Sequence, residues 1–90
     1  MSRRIEPVPA FRKSLAALPQ TPEVWQVVHA LTERITARPD EAEVLTETNI
    51  RAVYSLSTPK HPPLRLFYSI DATTIYLLYV EEYNDLGGRD

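Results

Sequence analysis

Pro63-Leu64-Arg65-Leu66-Phe67-Tyr68-Ser69-Ile70-Asp71-Ala72-Thr73-Thr74-Ile75-Tyr76-Leu77-Leu78-Tyr79-Val80-Glu81-Glu82 is the stretch that decides the fold. It reads as two strands, Leu64 to Ile70 and Thr74 to Val80, joined by the short turn Asp71-Ala72-Thr73. β-Branched and aromatic residues fill both runs, and the residues between them are small or polar. Side chains alternate across a strand, so Leu64, Leu66, Tyr68 and Ile70 share one face while Arg65, Phe67 and Ser69 share the other. A mid-strand arginine on the less apolar face is where a small domain can hold an anion.

Upstream of this hairpin the order is strand, helix, helix, strand. Arg4-Ile5-Glu6-Pro7-Val8-Pro9 reads as extended, and its prolines suit an edge strand or its end. A short helix carrying Phe11, Leu15 and Leu18 follows Pro9 and stops at Pro19. Thr21-Pro22-Glu23 is a helix start: a capping threonine, proline at the first helical position and an acid in the first turn. Val24, Val27, Val28, Leu31 and Ile35 then repeat at helical spacing until Arg38-Pro39, where the proline disfavours helix in the residue before it. Asp40 to Asn49 is acidic and fits either a helical turn or a solvated loop. Ile50 to Ser57 reads as a strand with Ile50, Ala52, Tyr54 and Leu56 on one face. Thr58-Pro59-Lys60-His61-Pro62-Pro63 is a stiff connection with neither helical nor strand periodicity, and residues 84–90 are expected to fray. The order βααβββ predicts an α+β fold, with two N-terminal helices packed on one face of a small antiparallel sheet.

Composition bounds the function. Ninety residues, 43% apolar and 24% charged, suit one globular domain over 1–90. The absence of cysteine excludes a disulfide scaffold, a thiol nucleophile and cysteine-ligated zinc. His29 and His61 stand too far apart in sequence to suggest a metal site, and no cofactor motif is present. No apolar run approaches the roughly 20 residues that span a bilayer, which makes a cytoplasmic protein with no membrane partner the default expectation. Ten basic and twelve acidic residues, a net charge of −2, are a poor balance for a nucleic-acid binder. Binding of that kind would need a local basic patch, and Arg3, Arg4, Arg12 and Lys13 are the densest basic group.

The order of elements resembles the RelE/ParE toxin superfamily from about Ile5 to Tyr83. Pro9-Ala10-Phe11-Arg12-Lys13-Ser14-Leu15 is similar to the family's opening turn with its Phe and following Leu. Pro63-Leu64-Arg65-Leu66-Phe67-Tyr68-Ser69-Ile70-Asp71 is similar to its arginine-bearing strand, and Ile75-Tyr76-Leu77-Leu78-Tyr79-Val80 to the strand after it. The resemblance implies the toxin component of a type II toxin-antitoxin system, neutralised by an antitoxin protein that wraps its surface. It implies ribosome-dependent cleavage of mRNA or, in the ParE branch, inhibition of DNA gyrase. In the nuclease branch a central-strand arginine binds the phosphate at the cut, and Arg65 stands at that place. Glu82 and Tyr83, in the region where the family places proton-transferring residues, complete the expected catalytic set. Arg51, Lys60, Arg12 and Lys13 are the expected RNA-binding support. No metal or cofactor is implied, and the oligomeric state, a homodimer included, is left open.

Two departures bear on activity. Val53-Tyr54-Ser55-Leu56 is uncharged where the nuclease branch carries Lys, Arg or Glu, and the cluster after the last strand, Glu81-Glu82, is acidic. Arg65 also has a plain structural alternative, an ion pair with Glu81 or Glu82 on the neighbouring strand. A weakened nuclease and a non-catalytic protein-interaction module on the same fold therefore both stand as readings.

Overall fold

A computed structural model describes residues 3–45, 48–56 and 62–83. Lys60, His61 and the expected frayed tail at 84–90 lie outside the described residues. The elements are β1 (Arg4–Pro7), α1 (Pro9–Ala16), α2 (Pro22–Ala37), β2 (Glu43–Val44), β3 (Ile50–Tyr54), β4 (Leu64–Ile70) and β5 (Thr74–Glu82). Among the described residues the strands form one five-stranded sheet in the order β1-β5-β4-β3-β2. The α+β architecture is the expected one: β3, β4 and β5 make an antiparallel meander with both helices on one face.

Two features refine that outline. The acidic stretch after α2 supplies a further strand, the two-residue β2, which pairs antiparallel with β3. Strand β1 joins β5 in parallel, so the sheet is mixed. The parallel pairing follows from the path of the chain: the two helices carry it across one face before the meander begins, and β5 runs alongside β1. Pro7 has no N–H, and on the edge strand β1 no ladder bond is lost by it.

Local chemistry sets the helix bounds. Thr21 caps α2 by accepting a hydrogen bond from the Val24 N–H at 3.2 Å, and Pro22 takes the first helical position. The helix ends at Ala37, just ahead of Arg38-Pro39. Val24, Val28, Leu31 and Ile35 turn to the sheet and pack with Leu64, Leu66, Tyr68, Ile75, Leu77 and Val80. Each such aliphatic side chain contributes about 1.5–3 kcal/mol by leaving water. Helix α1 brings Phe11 to the same core; it ends at Ala16, short of the expected stop at Pro19, and Leu18 reaches the core from the turn that follows. The helix also covers the part of β5 that the short β1 leaves unpaired: buried Ser14 accepts from the Val80 N–H at 3.0 Å and donates to the Phe11 carbonyl at 2.8 Å.

The hairpin runs as the alternation requires, with Leu64, Leu66 and Tyr68 fully buried on the helix face. Its ladder is interrupted once. Tyr68 faces Leu77 while Phe67 faces Tyr79, which leaves Leu78 as an extra residue in β5. Below this bulge Ile75 and Leu77 point into the core; above it Val80 does. Glu82 follows Val80 on the core side, opposite Leu64, and Tyr79 and Glu81 emerge on the open face.

Two side chains secure the ends. The Tyr68 hydroxyl donates to the Pro39 carbonyl at 2.7 Å, and burial pushes its phenol pKa up. At the β4–β5 turn the Asp71 carboxylate accepts from the N–H groups of Thr73 and Thr74 at 2.9 and 2.7 Å. These bonds hold its pKa below the usual carboxylate range.

Tyr68→Phe should lose about 1 kcal/mol of unfolding free energy in urea denaturation, because it strands the Pro39 carbonyl while leaving the ring packed. No loss would mean that this bond is replaced by water. Asp71 predicts a pH dependence of defined sign. Its folded pKa is depressed, so its contribution is present above the ordinary carboxylate value near ~4 and is lost as pH falls through the lower folded value. Asp71→Ala should therefore be less stable than wild type at neutral pH, and the gap in urea midpoint should narrow as pH falls below the ordinary carboxylate range. A gap unchanged over that range would contradict the assignment.

Candidate functional site

The open face of the sheet gathers Arg65 and Phe67 from β4, Tyr54 from β3, Tyr79 and Glu81 from β5, and Tyr83 just beyond it. Register does this work. Arg65 lies between Tyr54 and Glu81 on the two neighbouring strands, and Phe67 lies opposite Tyr79. Tyr83 donates its backbone N–H to the Pro63 carbonyl at 2.8 Å, which continues the pairing one step past the strand and fixes the tyrosine beside Arg65.

Arg65 donates from both Nε, at 2.9 Å, and Nη2 to one carboxylate oxygen of Glu81. The two side chains are 30% and 31% exposed, so the pair is neither freely solvated nor sealed in. The hydrogen bond to Glu81 holds the guanidinium charged, raising its pKa against a smaller opposing effect of burial; Tyr54 adds in the same direction. The guanidinium carbon stands 5.1 Å from the Phe67 ring centre and 4.9 Å from that of Tyr83. Each is a cation–π contact, one on either side of Arg65 along the strand. Tyr54 and Tyr83 meet edge to face at 5.2 Å, and Phe67 and Tyr79 lie 6.5 Å apart. The result is one cation held in an aromatic frame and neutralised by one carboxylate.

The structure unites some of the expected site residues and separates others. Arg65 and Tyr83 are in contact. Glu82 is exposed on the other face of β5, at an open groove between that strand and the end of α1, and Glu81 takes the position beside Arg65. Arg51 faces the helix side, opposite Tyr68, where its guanidinium donates to the carbonyls of Asp40 and Ala42 at 3.0 and 2.9 Å. It ties down the turn after α2. Arg12 and Lys13 are exposed on α1, across the sheet from Arg65. Lys60 lies outside the described residues.

Tyr54 and Phe67 belong to the frame without having been singled out from the sequence. Strand alternation places Phe67 with Arg65, and cross-strand register, which alternation alone does not supply, brings in Tyr54. Among the described residues no group of three His, Asp or Glu side chains is placed to hold a metal ion. No helix among them is long and apolar enough to cross a membrane. Chemically, the face offers an anion-binding guanidinium, a phenol and a carboxylate within one cluster.

No family model matches this sequence, and no curated protein matches it. Its structure is similar to a chain in the crystal structure of the toxin-antitoxin complex RelBE2 from Mycobacterium tuberculosis, with a TM-score of 0.74 at 19% sequence identity. The superposition covers 92% of this chain and 100% of that chain. At that identity the likeness speaks for the fold alone, which this chain shares with that chain of the RelBE2 complex over nearly its whole length.

Proposed function

We propose that this protein is the toxin of a toxin-antitoxin pair and that it cleaves ribosome-bound mRNA, with Arg65 as the phosphate anchor. The observation that carries the proposal is the placing of Arg65 on the open face of a RelE-like sheet, with the Tyr83 ring against its guanidinium. An antitoxin is the protein partner this reading requires. The similar fold from Mycobacterium tuberculosis was solved in a toxin-antitoxin complex.

The chemistry follows from the groups present. In RNA cleavage the 2′-oxygen attacks the adjacent phosphorus, negative charge gathers on the phosphorane oxygens, and the 5′-oxygen leaves. A guanidinium held by its neighbours meets two of those oxygens at little cost in reorganisation. Glu81 is the carboxylate placed to take the 2′-hydroxyl proton, and the Tyr83 phenol is placed to supply one to the leaving oxygen. Of the acidic pair, only Glu81 shares a face with Arg65. Arg51, Arg12 and Lys13 would reach RNA only beyond this cluster, as support for the phosphate backbone away from the cut.

A second reading has its own support. The Arg65–Glu81 pair leaves the open face with little net positive charge, which suits a non-catalytic module binding protein, a gyrase inhibitor included, as well as it suits RNA. The two are separated by mapping mRNA ends by primer extension in a translating extract. The nuclease reading predicts cuts at ribosome-occupied codons, reduced about 10²–10³-fold by Arg65→Ala, the usual cost of removing one transition-state donor. Absence of cuts at high protein concentration, or cuts that persist in Arg65→Ala, would contradict it.

A further inference from the structure

Arg65 already holds an anion, and the anion is its own chain. Nε and Nη2 form one edge of the guanidinium fork, the edge that can grip two oxygens of a phosphate, and both are given to Glu81. The flanking rings of Phe67 and Tyr83 keep the cation in place, so the group cannot swing toward a ligand without leaving both contacts. At about a third exposed, the pair can nevertheless be reached from solvent. A phosphate entering at this edge meets a carboxylate of the same sign.

We propose that Glu81 is a built-in competitor for the Arg65 anion site: an RNA phosphate binds there by displacing the Glu81 carboxylate, and the pair holds the resting site at low affinity. The inference rests on the reading of Arg65 as a phosphate anchor and adds its regulation. It also gives Glu81 two successive positions, on Arg65 at rest and off it once RNA is bound, when the carboxylate is released to accept a proton. Glu82 is the internal control. It is the next residue, carries the same charge, and stands on the opposite face of the sheet.

Binding of a fluorescein-labelled single-stranded RNA of about ten nucleotides, followed by anisotropy on the full chain at fixed salt, tests the idea. Glu81→Gln should tighten Kd about five- to tenfold, the range expected on removing the competing carboxylate of a partly exposed, charge-assisted pair. Glu82→Gln should change it less than about twofold, as a general charge effect screened by salt. The gain should vanish in Arg65→Ala/Glu81→Gln. Equal effects of the two Gln variants, or a gain that survives without Arg65, would overturn the proposal. If Glu81→Gln does not fold, the Arg65 Nε–H resonance of the wild-type protein carries the same test. It should shift on saturation with the RNA, and a stationary resonance at saturation would overturn the proposal. The outcomes also separate this inference from the nuclease reading. Wild-type cleavage with equal Gln variants defeats the competitor alone; an Arg65-dependent gain in binding with no cuts in a translating extract defeats the nuclease alone and leaves the competitor standing.

Discussion

The extra residue Leu78 in β5 is the constraint on which the rest of the structure depends. Extended from the turn without a bulge, the ladder would set Phe67 opposite Leu78 and Arg65 opposite Val80. Glu81 would then take the place opposite Leu64 that Glu82 holds, on the helix side. Exposing Val80 would forfeit about 1.5–3 kcal/mol of burial, and Arg65 would lose the carboxylate beside it. Spending one unpaired residue is the cheaper arrangement. It keeps Val80 in the core, where its N–H meets Ser14, and it delivers Glu81 to Arg65.

Fold and site are thus two results of one register. On the helix face the bulge completes an apolar layer that α1 and α2 cover. On the open face it assembles a cation, a carboxylate and a frame of aromatic rings. The ion pair is partly solvated, a class of pair that contributes at most about 1 kcal/mol to folding. Its consequence is electrostatic: a face that presents an arginine without presenting a strong positive field. A chain with net charge −2 and this near-neutral face has little to attract RNA at a distance. Recognition of a phosphate would rest on short-range contact at Arg65, which suits a substrate already delivered by a large assembly better than free RNA in solution.

Most of the fold was legible from the residues, for local reasons. The capped start at Thr21-Pro22, the proline stop after Ala37 and the two-residue alternation of Leu64 to Ile70 each act over a few neighbours, and each reappears in the structure. Strand β2 was not legible. Two residues carry no periodicity, and Glu43–Val44 becomes a strand only because β3 offers an edge to it. The parallel placing of β1 is likewise a property of the whole chain path. On the open face, Arg65 could be placed from strand alternation, whereas Tyr83, beyond the last strand, was expected there only through the family resemblance. Glu81 and Glu82 could not be told apart, because the choice depends on a bulge that leaves no mark in an unbroken apolar run. Arg51 has the same lesson in reverse: its charge suggested a ligand, and its register gives it to two backbone carbonyls.

Cross-strand nuclear Overhauser contacts between β4 and β5 would read the register change at Leu78 without reference to any activity. A bulge there requires cross-strand pairing of Tyr68 with Leu77, Phe67 with Tyr79 and Arg65 with Glu81. A regular ladder, with Leu78 opposite Phe67 and Val80 opposite Arg65, would contradict it and dissolve the site described on the open face.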